Sequence, residues 1–408
     1  MRCTSGWCTC ARLEPHRLRK RDRTNFMKVL VILTYYYPHW TGLTAYARRI
    51  AEGLVRRGHQ VTVLASQHDR ALPLQEDVNG VRVIRLPTLM RISRGVIMPG
   101  FPGALRRLIP EHDIVQVHTP ILEAPLITSV ARWVGRPVLL THQGDLVMPA
   151  GFFNQAIERI VTWMMVQAEK QATAISVHSC DYAEHSNFLR PFRHKLYCIY
   201  PPVIIPRPDP LQVAKWRDEL GLNEHKLVGY AGRFVEEKGF DYLYKAMPLV
   251  LEKHPHTKFV YAGERFVVYE KFYQRWEHLV EQNKEHLVFL GLLRDPQKLA
   301  NFYAMCDVFC LPSRSDCFPS VQVEAILSGT PLVSTDIPGA REVIKRTGMG
   351  LLVKSHDERA LAEGLIKALE NPRCYVKPYE DIRAVFDPEK SIDEYEALMQ
   401  KLVREYRR

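Results

Sequence analysis

Asp307 to Glu342 reads DVFCLPSRSDCFPSVQVEAILSGTPLVSTDIPGARE, and its punctuation decides the fold class. The apolar run 308–311, closed by Pro312, predicts a strand buried on both faces. Arg314-Ser315-Asp316 is a polar loop. Pro319 suits the first position of a helix, where its missing N–H costs nothing. Val321 and Ala325 share one face of that helix, and Gly329 stops it. Residues 331–335 read as the next strand, and Pro338-Gly339 as a turn into another helix.

Two carboxylates stand eight residues apart in this stretch, Asp316 and Glu324. On one continuous helix that offset is about 12 Å of rise, too far to clasp one small group. The proline places Asp316 on the loop and Glu324 one turn inside the helix. Between them the backbone N–H groups of Ser320 and Val321 open a helix N-terminus, which favours phosphate or pyrophosphate. A ligand with charge in its middle and hydroxyls at both ends suits the segment, and a nucleotide-sugar has that form.

Upstream, residues 226–230 predict a strand that ends in Ala231-Gly232-Arg233, and Lys238-Gly239 opens the next helix. Arg233 and Lys238 are close enough across this turn to reach one pyrophosphate, where two fixed cations offset developing charge. Strands recur at 258–262 and 287–290 with helices between, the alternation of a doubly wound domain.

The first half repeats the pattern. KVLVIL at 28–33 is a continuous apolar run. Tyr35-Tyr36-Tyr37-Pro38 begins a loop carrying Thr41-Gly42, before a predicted helix at 45–57 and a strand at 61–65. This is a βαβ unit, but no G-x-G-x-x-G occurs in the chain, which disfavours a dinucleotide-dependent dehydrogenase. Gly42 suits close backbone approach to a donor phosphate or to the acceptor. Further strands are predicted at 81–86, 114–117 and 137–140, the last two ending at His118 and at Thr141-His142-Gln143-Gly144-Asp145. Either histidine stands where parallel sheets place ligands. Helices are predicted at 120–134, 154–172 and 179–189, and a strand at 173–177. Residues 200–210 hold five prolines and read as a linker.

Pro312-Ser313, Asp316, Phe318-Pro319, Glu324-Ala325, Gly329-Thr330-Pro331, Gly339 and Glu342 together resemble the donor motif of the family 4 glycosyltransferases, group 1 type: retaining enzymes with the GT-B fold. Gly232-Arg233 and Lys238-Gly239 are similar to that family's second-half strand end and helix start. The resemblance spans most of 27–371. Asp316 stands where the family has Glu, Gly42 is single where the family has paired glycines, and Pro201-Pro202 replaces an Asn-Gly. The resemblance implies two Rossmann-like domains facing an interdomain cleft. It implies transfer of a hexose from a UDP- or GDP-sugar with retention of configuration. Glu324 then holds the ribose, Arg233 and Lys238 the pyrophosphate, and Asp316 with His142 the donor sugar. His142 is favoured over His118 because the family carries a histidine after the matching strand. Phe318, Ser320 and Val321 join the donor site. The rival is a catalytically silent nucleotide-sugar-binding protein, favoured by Asp316 and the reduced glycine loop.

The expected organisation is an N-terminal extension at 1–26, an acceptor-binding domain at 27–200 and a nucleotide-sugar-binding domain at 201–372. A segment at 373–408 carries a helix at 391–407 that crosses back to the first domain. A hydrophobic share of 46% with 25% charged residues is ordinary for a globular chain. The net charge of +11 points to an anionic partner, and residues 1–26 carry seven cations against two acids. From 78 to 110 there are six arginines (Arg82, Arg85, Arg91, Arg94, Arg106, Arg107) and no acid. Met90, Ile92, Val96, Ile97, Met98 and Phe101 are interleaved with them. That window suits an anionic membrane surface and a lipid-linked acceptor. No nucleic-acid module is recognised. Nine scattered cysteines, among them Cys180 and Cys198, and the lack of a secretory apolar segment predict a reduced, cytoplasmic chain, peripheral at the inner face of a membrane. No cofactor is expected. No metal is expected either, because Asp-x-Asp is absent and Cys3, Cys8, Cys10 and His16 lack paired C-x₂-C spacing.

Overall fold

The computed structural model describes residues 26–92, 95–145, 152–267 and 270–407. The chain divides between Pro202 and Val203 and again between Asp387 and Pro388, giving two units. The extension expected at 1–26 lies, apart from the exposed Phe26, outside the described residues.

The first unit runs β1 (Lys28–Ile32), α1 (Gly42–Arg56), β2 (Gln60–Gln67), β3 (Gln75–Val78), β4 (Val81–Pro87), β5 (Met90–Ile92), β6 (Gly95–Ile97), α2 (Phe101–Glu111), β7 (Ile114–Thr119), α3 (Ala124–Val134), β8 (Val138–His142), α4 (Phe152–Gln171), β9 (Ala174–Val177), α5 (Cys180–His185) and β10 (Leu196–Cys198). Eight strands form one sheet in the order β10-β9-β8-β7-β1-β2-β4-β3. All pair in parallel except β3, which turns back on β4. The apolar run of β1 explains its place near the centre: every residue after Lys28 is buried. Its side chains alternate between faces, and Val29 and Val31 pack with Ile50 and Leu54 of α1.

The same core takes in Tyr395, Leu398, Met399 and Leu402 of the C-terminal helix Pro388–Tyr406, so the chain's last helix belongs to the first unit. Its approach to α1 needs Gly53: a Cβ there would lie 2.5 Å from Ile392 Cδ1. An ion pair of Arg57 with Glu389 at 2.9 Å and a hydrogen bond between His59 and Glu396 at 2.9 Å close the contact.

The second unit holds α6 (Pro210–Glu219), β11 (Lys226–Ala231), α7 (Phe240–Lys253), β12 (Thr257–Ala262), α8 (Phe272–Gln282), β13 (Leu287–Gly291), α9 (Pro296–Met305), β14 (Val308–Leu311), α10 (Ser320–Leu327), β15 (Leu332–Thr335), α11 (Ala340–Thr347), β16 (Gly350–Val353), α12 (Glu358–Glu370) and α13 (Tyr379–Val385); the C-terminal helix is α14. Its sheet is wholly parallel, β13-β12-β11-β14-β15-β16.

Several expectations are corrected. The helix expected at 179–189 ends at His185. Ser179 caps it by accepting from Tyr182 N–H, and the Ser186 side chain turns to Asp145 instead of continuing it. The all-thiol expectation fails because β9 and β10 are parallel neighbours with Cys198 beside Val177. That register brings Cys198 to Cys180, and the two form a disulfide with Cα atoms 5.4 Å apart. In the basic window, Arg85 is buried: it pairs with Glu76 and donates to the carbonyls of Tyr37 and Pro73. Val96, Met98 and Phe101 are also buried. Arg82, Arg91, Arg106 and Arg107 remain exposed with Met90 and Ile97, while Arg94 lies outside the described residues.

Candidate functional site

In the second unit the charged groups gather on the loops that follow β11 and β14, parallel neighbours in the sheet. These loops are stitched together. Arg314 donates its backbone N–H to Glu237 O at 2.8 Å, Nη1 to Glu236 O at 2.6 Å and Nη2 to Asp241 Oδ2 at 2.7 Å. Gly239 permits the crossing. Its φ is +65°, and a Cβ would stand 2.1 Å from Pro312 O, so any side chain would have to displace backbone.

The crossing brings Lys238 Nζ to Asp316 Oδ2 at 2.5 Å, both side chains largely covered. Burial works against the lysine's charge, but the carboxylates of Asp316 and Glu237 outweigh it and hold its pKa above the usual value. Arg233 is part-exposed, with Glu237 at 3.8 Å. Pro319 caps α10 rather than entering it, so Ser320 and Val321 supply the first helical N–H groups. One turn in, Glu324 is 8% exposed and accepts the Tyr303 hydroxyl at 3.0 Å. Burial and the neighbouring carboxylate push the Tyr303 phenol far up, so it stays a donor. The Phe318 ring is buried against Phe386 and packs the loop from beneath. The sequence pointed to Asp316, Lys238, Arg233, Ser320, Val321 and Glu324. It missed Tyr303 and Arg314, which orient them from elsewhere in the chain.

In the first unit Gly42 is the first residue of α1, capped by the reciprocal Thr41–Thr44 pair, with open space where a Cβ would stand. His118 and His142 lie near the ends of adjacent strands, Thr119 opposite His142. Their environments differ. Burial pushes the His118 imidazole down to about 3, so it is neutral. Burial also opposes charge on His142, but Asp145 and Glu169 outweigh it and raise it to about 9. His142 Nε2 lies 3.1 Å from Asp145 Oδ1, and Nδ1 lies 3.8 Å from Glu169 Oε1. Ser186 Oγ holds both Asp145 oxygens, at 3.0 and 2.9 Å, and Asp145 N–H donates to the Tyr182 hydroxyl at 2.7 Å. His142, Asp145, Thr119, Glu158, Asn187 and Phe188 help line a cavity of about 240 Å³. Glu169 and Ser186 escaped the sequence reading. The available signal for Glu169 was an acid set among the packing residues Met165, Ala168 and Ala172. Among the described residues no cluster of metal-ligating side chains occurs.

Residues 41–197 match the model of the glycosyl transferase 4-like domain, and residues 212–402 that of glycosyl transferases group 1. The chain is 27% identical over 367 residues to the GDP-mannose-dependent alpha-(1-6)-phosphatidylinositol monomannoside mannosyltransferase of Mycolicibacterium smegmatis, covering 85% of this chain and 90% of that one. Sucrose-phosphate synthase of Thermosynechococcus elongatus matches with a TM-score of 0.73 at 22% identity, over 92% of this chain and 98% of that one. The HepE protein of Anabaena, solved in complex with UDP and glucose, matches with a TM-score of 0.70 at 18% identity, over 93% and 98%. Two parallel-sheet units with these matches are the GT-B fold, and the chain belongs to the family 4, group 1 glycosyltransferases.

Proposed function

We propose that this glycosyltransferase moves a hexosyl group from a UDP- or GDP-sugar to an acceptor hydroxyl with retention of configuration. The observation that carries the reading is the Lys238–Asp316 pair set on the same sheet edge as the N-terminus of α10 and the buried Glu324. Glu324, held by Tyr303, takes the ribose hydroxyls. Lys238, Arg233 and the first N–H groups of α10 take the diphosphate. Asp316 binds the donor sugar, and His142 is the first unit's contribution to sugar binding. Gly42 leaves room for backbone approach at the start of α1.

In the transfer, the bond from the anomeric carbon to the diphosphate oxygen breaks, and a bond to the acceptor oxygen forms on the same face. The acceptor proton passes to the departing diphosphate, whose growing charge Lys238 and Arg233 offset. The first unit then serves as the acceptor domain and the second as the donor domain. The name of the mycolicibacterial relative couples GDP-mannose with a phosphatidylinositol acceptor. It supports a mannosyl donor and a lipid-linked acceptor here, in keeping with the exposed arginines of the 78–110 window and peripheral association with an anionic inner membrane surface. Among the described residues no helix is long and apolar enough to cross a membrane.

The test is a thermal-shift screen of nucleotide-sugars, since a donor at 100 times its dissociation constant stabilises by about 2.7 kcal/mol. It is followed by donor turnover with and without acceptor. A hit that is turned over establishes the enzyme. A hit never turned over marks a silent binder, and no hit among UDP- and GDP-sugars overturns the donor reading.

A further inference from the structure

Glu169 is fully buried on α4, and neither of its carboxylate oxygens has a hydrogen-bond partner. An ionised carboxylate stripped of water costs several kcal/mol unless a counter-charge is near. The imidazole of His142 stands there, its Nδ1 3.8 Å away and likewise without a hydrogen-bond partner. At the other ring edge Nε2 meets Asp145, and the Phe188 ring stacks on the imidazole at 5.3 Å and 17°. One ring thus has a carboxylate at each nitrogen and an aromatic on one face.

We propose that Glu169 is a positioning residue that fixes His142 as an imidazolium, one N–H aimed at Glu169 and the other at Asp145. His142 then faces the cavity as a standing cation and not as a base. The proposal rests on the reading of His142 as a sugar-contacting group. Its consequence is chemical: a histidine that keeps its proton cannot take one from an acceptor hydroxyl, but it can stabilise negative charge on a neighbouring oxygen.

The surrounding charges agree. Asp145 follows β8, and Glu158 and Glu169 lie on α4. Ahead of β10, Lys195 feels the Glu169 charge, but its ammonium is spent on the carbonyls of Lys170 and Ala172 at 3.2 and 2.9 Å. The buried His118 and His178 are both pushed down to about 3 and are neutral, so neither competes for the carboxylates.

The test is an NMR titration of the His142 imidazole in the full chain, assigned by the signal lost in His142→Gln. The expected result is a protonated ring through neutral pH, with a midpoint near the value that the two carboxylates impose. In Glu169→Gln the midpoint falls by roughly one pH unit or more, and in Glu169→Asp by less. In transfer assays the alkaline limb of kcat/KM falls with it. A neutral His142 at about pH 7 in the unaltered protein overturns the proposal, as does an unchanged midpoint in Glu169→Gln. The titration of the unaltered protein needs no substrate, and its only variant is the His142→Gln used for assignment. It therefore stands apart from any failure of the transfer reading, which the donor assays report separately.

Discussion

The two units carry charge at their sheet edges in opposite ways. In the second unit, Lys238 and Asp316 face one another on stitched loops, part-reached by solvent, and Arg233 is more open still. In the first, the buried His142 ring has the Asp145 carboxylate beside one nitrogen and the fully buried Glu169 carboxylate beside the other. A partly wet ion pair can exchange partners when an anion arrives. A dry one is held, because separating its members strands a charge in the core. On the proposed reading, the second unit binds and releases the diphosphate and the first presents a fixed field.

The sharpest way to break this contrast is Lys238→Ala. If the lysine meets charge that grows as the donor bond breaks, its loss lowers kcat on the order of 10² to 10³-fold, with a much smaller change in donor affinity. Steady-state kinetics beside donor titration measure this. Equal losses in both would make Lys238 a plain binding group. Glu324→Ala should do the reverse. Losing a charge-assisted hydrogen bond of roughly 1.5–3 kcal/mol weakens donor binding about tenfold to a hundredfold. Tyr303→Phe should cost less, because it removes only the hydroxyl that orients the carboxylate. Full activity in both Lys238→Ala and Glu324→Ala, with the fold intact, would refute the donor site.

How well each site could be read follows the same division. Asp316, Ser320, Val321 and Glu324 lie within nine residues, so proline, helix start and carboxylate spacing announced them together. Lys238 was marked by its Lys-Gly helix start, though its pairing with Asp316 spans 78 residues and needed the fold. The strands were legible because parallel buried strands are continuous apolar runs: β14 lies where the sequence put it. Glu169 and Ser186 were not legible. Each meets the His142–Asp145 pair only through tertiary packing, and a buried acid in a helix looks like a surface acid until its neighbours are known. The disulfide escaped for a similar reason, since Cys180 and Cys198 become neighbours through strand pairing.

The contrast extends to pH. His118 and His178 have folded-state values depressed below the ordinary histidine range, to about 3. The unfolded chain then binds more protons as pH drops below about 6.5, so their contribution is complete above that pH and erodes beneath it. His142 is raised to about 9. Its contribution is complete below about 6.5 and is lost as pH rises through its folded value. Melting temperature should therefore be highest near neutrality and fall on both sides. His142→Phe combined with Glu169→Gln, which leaves no buried carboxylate stranded, should flatten the alkaline side. An alkaline slope that survives in that double variant would show that other groups set it.

The smallest effect is expected at the surface. Of the six arginines between 78 and 110, Arg85 is committed to Glu76, whereas Arg82, Arg91, Arg106 and Arg107 are exposed, as are Met90 and Ile97. Arg106 and Arg107 occupy the solvent face of α2, whose opposite face buries Leu105, Leu108 and Ile109. Replacing these two should leave the helix packing untouched. Each cation near an anionic bilayer contributes on the order of 1 kcal/mol, reduced by salt. Arg106→Ser and Arg107→Ser should thus each lower co-sedimentation with anionic vesicles about fivefold at low ionic strength, with little change for neutral vesicles. The difference should shrink as salt is raised, while donor turnover in solution is unchanged. Equal sedimentation of both variants and the unaltered protein would remove this face from the membrane reading. Vesicle binding by the unaltered protein that salt does not alter would assign the adhesion to exposed apolar groups such as Met90 and Ile97 and leave the arginines as solubilising charge.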